Sequence, residues 1–234
     1  MAPLISQRMR LPAIAATTTA WGVAVVVGML VADQQHAGPT DRTLIEWVHA
    51  SIGDGGGLAA FLLVPTDTDT IACAVAVVAA VALVRRRWDV VVLAVATPTA
   101  GVAITELALK PLFGRTLHGQ LSYPSGHAVA TVAIYTVALL AFASGTSGLR
   151  RALASLGWVV MATAIMAGLV GMNCHYPTDT VGGVCVAVGV VLPGALLAGT
   201  VRRRTRPRLR IPVQRTDSGL DREPVVATRS PDPG

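Results

Sequence analysis

Charge is scarce in this sequence. Of 234 residues, 14% are Asp, Glu, Lys or Arg, against 53% hydrophobic. A soluble domain of this length spreads charge over its whole surface. Long charge-free apolar runs broken by short polar stretches exclude that class and point to a membrane protein. Lysine is nearly absent, Lys110 standing alone, and arginine supplies the rest of the basic side. The formal net charge is +6 and aromatics make up 4%. Most of the arginines lie in short clusters or in the C-terminal tail. None forms a basic stripe interleaved with aromatics, so no nucleic-acid partner is expected. Cysteine is limited to Cys73, Cys174 and Cys185. An odd count without metal-type spacing argues against a disulfide framework or a zinc site. Cys73 and Cys185 lie in apolar runs, where cysteine acts as a small hydrophobe. There is no internal repeat.

What is present is a set of apolar runs at membrane length, about 20 residues each. Six are legible, at 12–32, 58–84, 89–109, 126–144, 152–172 and 180–200. The expected fold class is therefore all-α, an integral membrane bundle of six transmembrane helices. The second run is interrupted by Pro65, Asp67 and Asp69, so its membrane part is expected in the later portion, with a short interfacial element before Pro65. The first run is longer than a signal-peptide core and has no small-x-small cleavage site before Asp33, so it reads as an uncleaved anchor. Thr97-Pro98 and Pro193 are expected to kink their helices.

Arginine placement orients the bundle. Arg8 and Arg10 precede the first run, Arg85 to Arg87 separate the second and third, Arg150 and Arg151 separate the fourth and fifth, and Arg202 to Arg204 follow the sixth. With six crossings all four groups fall on one side, which the positive-inside rule makes the cytoplasm. Both termini are then cytoplasmic, in a plasma membrane. Residues 1–11 form a cytoplasmic segment, 12–200 the membrane domain, and 201–234 a disordered basic, Pro-rich cytoplasmic tail. On the outer side, Thr40 to Ala50 reads as an amphipathic piece, with Asp41 as its cap and Leu44, Ile45 and Val48 on one face.

The outer loops gather Lys110, Arg115, His118, Ser125, His127, His175 and Asp179. Tyr123-Pro124-Ser125-Gly126-His127 opens directly into the fourth run. Ser125 suits an N-cap, Gly126 leaves its amide unobstructed, and the first-turn amides form an anion site beside His127. His175-Tyr176-Pro177-Thr178-Asp179 enters the sixth run, with Pro177 in a first helical turn. Asp179 at i+4 can hold one ring nitrogen of His175 protonated and leave the other free as nucleophile or base. Lys110 and Arg115 flank a loop at the end of the third run, where cations can neutralise phosphate oxygens. Glu106 reads as an ion-pair partner of Lys110. Each piece alone also fits an ordinary capped or interfacial helix end. Together, cations, an amide nest with a histidine and a His–Asp pair suit phosphoryl transfer without a metal or other cofactor.

This Lys-loop-Arg, Pro-Ser-Gly-His and His-x-x-x-Asp series, over about residues 58–200, resembles the type 2 phosphatidic acid phosphatase family. The resemblance implies hydrolysis of a membrane lipid phosphate at the outer membrane face. It implies His175 as the nucleophile forming a phosphohistidine, Asp179 orienting it, and His127 as general acid for the departing alcohol. Lys110, Ser125 and Gly126 would bind phosphate, and the family needs no metal. Two positions depart from its pattern. Leu117 and His118 stand where the family usually has Arg-Pro, and Leu169 where it usually has Arg. Arg115 is expected to take over part of the first vacancy, and Asn173 to offer a neutral hydrogen bond near the second. The reduced positive charge implies a pocket that handles a monophosphate more readily than a diphosphate, or turns over slowly. The second class is a catalytically weakened protein that binds lipid phosphate without hydrolysing it. A transporter ranks third, because no charge sits near the middle of a membrane helix.

Overall fold

A computed structural model describes residues 3–144, 146 and 148–204; the expected tail beyond Arg204 lies outside the described residues. The described residues are mostly helical. Its helices are α1 (Arg10–Val31), α2 (Pro39–Ile52), α3 (Leu58–Leu63), α4 (Thr68–Val84), α5 (Trp88–Ile104), α6 (Lys110–Phe113), α7 (Gly126–Ala143), α8 (Gly148–Gly171) and α9 (Pro177–Arg204). A single π turn, Thr105–Leu109, joins α5 to α6, so that Trp88–Phe113 forms one continuous apolar rod. The only strands among the described residues are β1 (Thr116–Leu117) and β2 (Gln120–Leu121), an antiparallel pair closed by His118 and Gly119.

Among the described residues five helices are long and apolar enough to cross a membrane, or six if a bent pair counts as one span. That pair is Leu58–Thr66 with Thr68–Val84, bent by 50° at Asp67. Alone, the 17 residues of α4 reach about 26 Å, short of a hydrocarbon core of about 30 Å. The polar Pro-Thr-Asp-Thr-Asp stretch thus breaks the run, as its sequence implies. Pro98 and Pro193 lie inside unbroken helices. The helix α9 runs past the expected end of its apolar run to Arg204. At the other terminus, Leu4 and Ile5 are buried in the core cluster with Ala82, Leu93 and Val137.

Helix α9 is central, packing against α1, α5 and α7. In lipid no hydrophobic force draws helices together, so close backbone approach and polar contacts must do so. Val186, Ala187, Val191 and Ala195 of α9 are buried, and Trp21 Nε1 of α1 donates to the Gly189 carbonyl at 3.0 Å. Large apolar side chains such as Leu11, Met29, Leu30, Val92, Leu153 and Val160 are exposed around the outside, as lipid-facing positions require. At Gly183 an added Cβ would lie 2.7 Å from the Ser125 carbonyl oxygen and 2.8 Å from Ala128 Cβ. This glycine lets the starts of α7 and α9 touch.

The polar loops collect at one end of the bundle. Asp33 N–H donates to the Phe113 carbonyl at 2.8 Å, Thr116 N–H to Gln34 at 3.0 Å and Gly55 N–H to Gly171 at 2.9 Å. The opposite end holds Arg85 to Arg87 and the start of α8. There Arg87 pairs with Asp89 at 2.9 Å and reaches Ser144.

Gly183→Val should lower the detergent melting temperature by the equivalent of about 1–3 kcal/mol of overpacking. Gly157→Val, where nothing lies within 4 Å of an added Cβ, should leave it unchanged. Equal melting of the two variants in a thermal-shift assay would contradict the packing at Gly183.

Candidate active site

The polar end of the bundle encloses a cavity of about 670 Å³. Its polar wall is built by helix starts. Ser125 is the N-cap of α7, fully buried, and its Oγ accepts from the Ala128 amide at 3.3 Å. Gly126 and His127 follow in the first turn and line the cavity. The α7 and α9 starts are joined directly, because the Ser125 N–H donates to the Asp179 backbone carbonyl at 3.0 Å. His175 lies just before α9, which opens at Pro177. The two imidazoles therefore converge, with ring centroids 6.0 Å apart at 61°. Both rings can touch one phosphoryl group at that separation.

Behind His175 lies a buried ionic cluster. Asp179 Oδ2 is 3.6 Å from His175 Nδ1, within ion-pair range but beyond a hydrogen bond. The same oxygen accepts the Tyr176 amide at 3.2 Å. Its Oδ1 accepts from Arg115 Nη1 at 2.6 Å. Arg115 Nη2 donates to Asp41 Oδ2, and Asp41 Oδ1 accepts the Thr178 amide at 3.0 Å and the Thr178 hydroxyl at 2.9 Å. The Tyr176 ring stacks on the guanidinium at 4.2 Å. Arg115 and Asp179 are fully enclosed, and Asp41 nearly so.

Arg115 departs from expectation. It was to bind phosphate; its guanidinium is instead 0% exposed, held between two carboxylates, and does not line the cavity. Of the other expected phosphate ligands, Lys110 and Gly126 line the cavity, while Ser125 turns its hydroxyl inward as a cap. Lys110 Nζ is bound to Glu106 Oε1 at 2.8 Å, the pairing their spacing implies. Asn173 does not replace the missing arginine. It donates to Asp54 at 2.8 Å and stays outside the cavity. Leu169 is buried among Ala128 and Ile165, so an apolar contact fills that position.

Asp41 is the residue that sequence reasoning misplaced. The N-cap of α2 is Gly38, and Asp41 sits within the first turn, on the buried face with Val48. Leu44, expected on that face, is 42% exposed. Its partners lie far along the chain, so no local pattern announces them. His118 lines the cavity from the hairpin turn, at a backbone φ of 51°. Glycine follows it there because both turn positions need φ above zero. Tyr123, which precedes the Ser-Gly-His segment, donates its hydroxyl to the Ala24 carbonyl of α1. Burial, with Cys185 and Asp179 nearby, pushes its phenol well above the ordinary value. It therefore stays a neutral donor, fixing the loop before α7.

The cavity wall turns apolar below the histidines. Ile71 of α4, Val102 of α5 and Ala130 of α7 line it within the membrane helices. Its upper part carries Glu106, Lys110, His118, Gln120 and Cys174. The arrangement is an amphipathic slot: two imidazoles and an amide nest at the top, hydrocarbon beneath.

The family model described as PAP2 superfamily matches residues 108–206, from the end of the α5–α6 rod through α9. The stretch contains Arg115, Ser125, His127, His175 and Asp179, and it is consistent with a member of the type 2 phosphatidic acid phosphatase family. No curated protein and no solved structure matches the chain. At family level the match supports a phosphatase acting on phosphate esters.

Arg115→Met should destabilise the fold by about 3–5 kcal/mol, the usual cost of leaving a buried charge unpaired. A detergent melting temperature equal to wild type would mean that Arg115 is solvated, against the cluster described above.

Proposed function

We propose that this chain, with its PAP2 superfamily match, is a metal-independent lipid phosphate phosphatase working through a phosphohistidine. The observation that carries the reading is the convergence of His127 and His175, 6.0 Å apart, over a slot whose upper part is polar and whose lower wall is apolar. A free sugar phosphate has no use for that lower wall. A phosphate on an acyl or prenyl chain does.

In this mechanism His175 attacks phosphorus through Nε2, since its Nδ1 faces Asp179. The bond from phosphorus to the lipid oxygen breaks, and His127 gives its proton to that oxygen, releasing the alcohol. His127, now neutral, takes a proton from water. The resulting hydroxide attacks phosphorus, the P–N bond breaks, and inorganic phosphate leaves His175 free. Lys110 and the first-turn amides of α7 stabilise the equatorial oxygens as charge develops. Asp179, 3.6 Å from Nδ1, faces the imidazole with negative charge. Phosphatidic acid, phosphatidylglycerol phosphate and polyprenyl phosphates all fit this description. The arginine clusters at the opposite end of the bundle support an extracytoplasmic active site in a plasma membrane.

The charge inventory supports a monophosphate. Among the described residues lining the cavity, Lys110 is the one permanently charged cation, and Glu106 offsets it. A missing charge-assisted hydrogen bond costs about 1.5–3 kcal/mol, which bears harder on a diphosphate with its extra charge. The buried Leu169 also favours a second reading, a protein that binds lipid phosphate with little turnover.

Phosphate release by the purified protein in detergent, with EDTA present, tests the reading across a panel of lipid phosphates. His175→Ala should abolish release, and His127→Ala should reduce it by roughly 10²- to 10⁴-fold. Unchanged release in both variants would sink the histidine mechanism. Lipid binding without release by wild type would select the second reading. With matched prenyl chains the monophosphate should be the better substrate by kcat/KM; a clear preference for the diphosphate would refute the charge argument.

A further inference from the structure

We infer that Asp41 of α2 is a positioning residue for the reaction: acting through Arg115, it governs the negative charge that Asp179 presents to His175. The inference rests on the histidine reading above, which itself assigns Asp41 nothing. Asp41 also lies outside the segment matched by the PAP2 superfamily model.

The bonding pattern carries the case. Arg115 donates to both carboxylates, one through each terminal nitrogen. Asp41 is 2% exposed and Asp179 0%, so water screens neither. In such surroundings charges act on one another at much more than their strength in water. Without Asp41, the whole positive charge of Arg115 would fall on Asp179, which also accepts the Tyr176 amide. Little negative charge would remain for the imidazole 3.6 Å away. With Asp41 present, the trio carries one net negative charge on the His175 side of the site. Asp41 also holds the Thr178 amide at 3.0 Å, which fixes the first turn of α9, the turn that carries Asp179. The helix α2 is thus tied to the site through a carboxylate rather than through apolar packing alone.

The sign of the effect follows. Attack requires neutral His175, so the acid limb of kcat/KM against pH reports loss of its proton. Removing a nearby negative charge makes the imidazolium less favourable, and the acid limb moves to lower pH. The other titratable groups that line the same cavity stay the same: His127 from α7, Glu106 and Lys110 from the α5–α6 rod, His118 from the hairpin, and Cys174 on its own loop; Tyr176, the next residue, stacks on Arg115.

The test compares full-length wild type, His175→Ala, Asp41→Asn and Thr178→Val in detergent, with a short-chain phosphatidic acid as probe. Asp41→Asn should lower kcat on the order of 10- to 100-fold, as loss of precise placement does, and should shift the acid limb to lower pH. Thr178→Val removes a hydroxyl but no charge, so it should lower the melting temperature and leave the limb where it is. If both variants melt earlier and neither moves the limb, Asp41 is only structural and the inference is overturned. A kcat for Asp41→Asn within about two-fold of wild type overturns it as well. Should Asp41→Asn fail to fold, Asp41→Glu carries the test. It keeps the charge, so the limb should stay at its wild-type position, and a limb moved to lower pH overturns the inference. Full activity in His175→Ala is a separate outcome, which removes the histidine mechanism and the Asp41 relay together.

Discussion

A guanidinium with no exposure, held at the polar end of a membrane bundle, is the constraint on which the site depends. Burying Arg115 is costly unless its charge is paired and its donors satisfied. Asp41 and Asp179 pair its charge and its two terminal nitrogens, Tyr176 covers the flat face, and Nε alone is left without a hydrogen-bond partner. Three elements distant in sequence must therefore meet: the amphipathic helix α2, the loop after α6, and the first turn of α9. Asp179 carries the constraint further. Its side chain stands beside His175, and its backbone carbonyl takes the Ser125 amide. Ser125 then caps α7 and sets His127 in the first turn. The two imidazoles converge because one residue holds the starts of both helices.

Much of this was legible in the sequence, and physical reasons separate what was from what was not. Apolar runs announce membrane helices because lipid satisfies no backbone polar group, and the helices form where the runs lie. Ser125 as N-cap and Pro177 in a first turn were readable because capping is local. So was the Glu106–Lys110 pair, four residues apart on one helix. Arg115 was misread as a phosphate ligand because charge alone does not show whether a side chain faces a cavity or a pair of buried carboxylates. Asp41 was read as a cap for the same reason: an acidic residue in a first helical turn has a local explanation, and its actual partners lie 74 and 137 residues away. Leu4 and Ile5 fell in the expected cytoplasmic segment 1–11, because two apolar residues form no period, and they are buried in the core cluster.

The departures at Leu117 and Leu169 also gain a physical sense. Leu169 lies at the end of α8 against Ala128 of α7, so the space where an arginine is usual is filled by an apolar contact. A charged residue there would need partners that this packing does not offer. Leu117 lines the cavity from the hairpin, and the next residue, His118, also faces it. The cavity is thus rich in imidazole and poor in permanent charge.

The π turn explains how the one lysine reaches that cavity. Val102, Glu106 and Lys110 all line it, spaced four residues apart. On a regular α-helix each step of four residues drifts about 40° around the axis, so Lys110 would swing well away from the face that Val102 occupies. The π turn Thr105–Leu109 lies between them. Its wider i→i+5 winding absorbs the drift and keeps the three side chains in line. Such a turn costs hydrogen-bond geometry in a segment where lipid supplies no alternative partners. Its presence where the rod meets the polar end, and nowhere else among the described residues, is understandable if the gain is the alignment of Glu106 and Lys110 with the cavity. Backbone irregularity at this depth is tolerable because the segment borders a polar space rather than lipid alone.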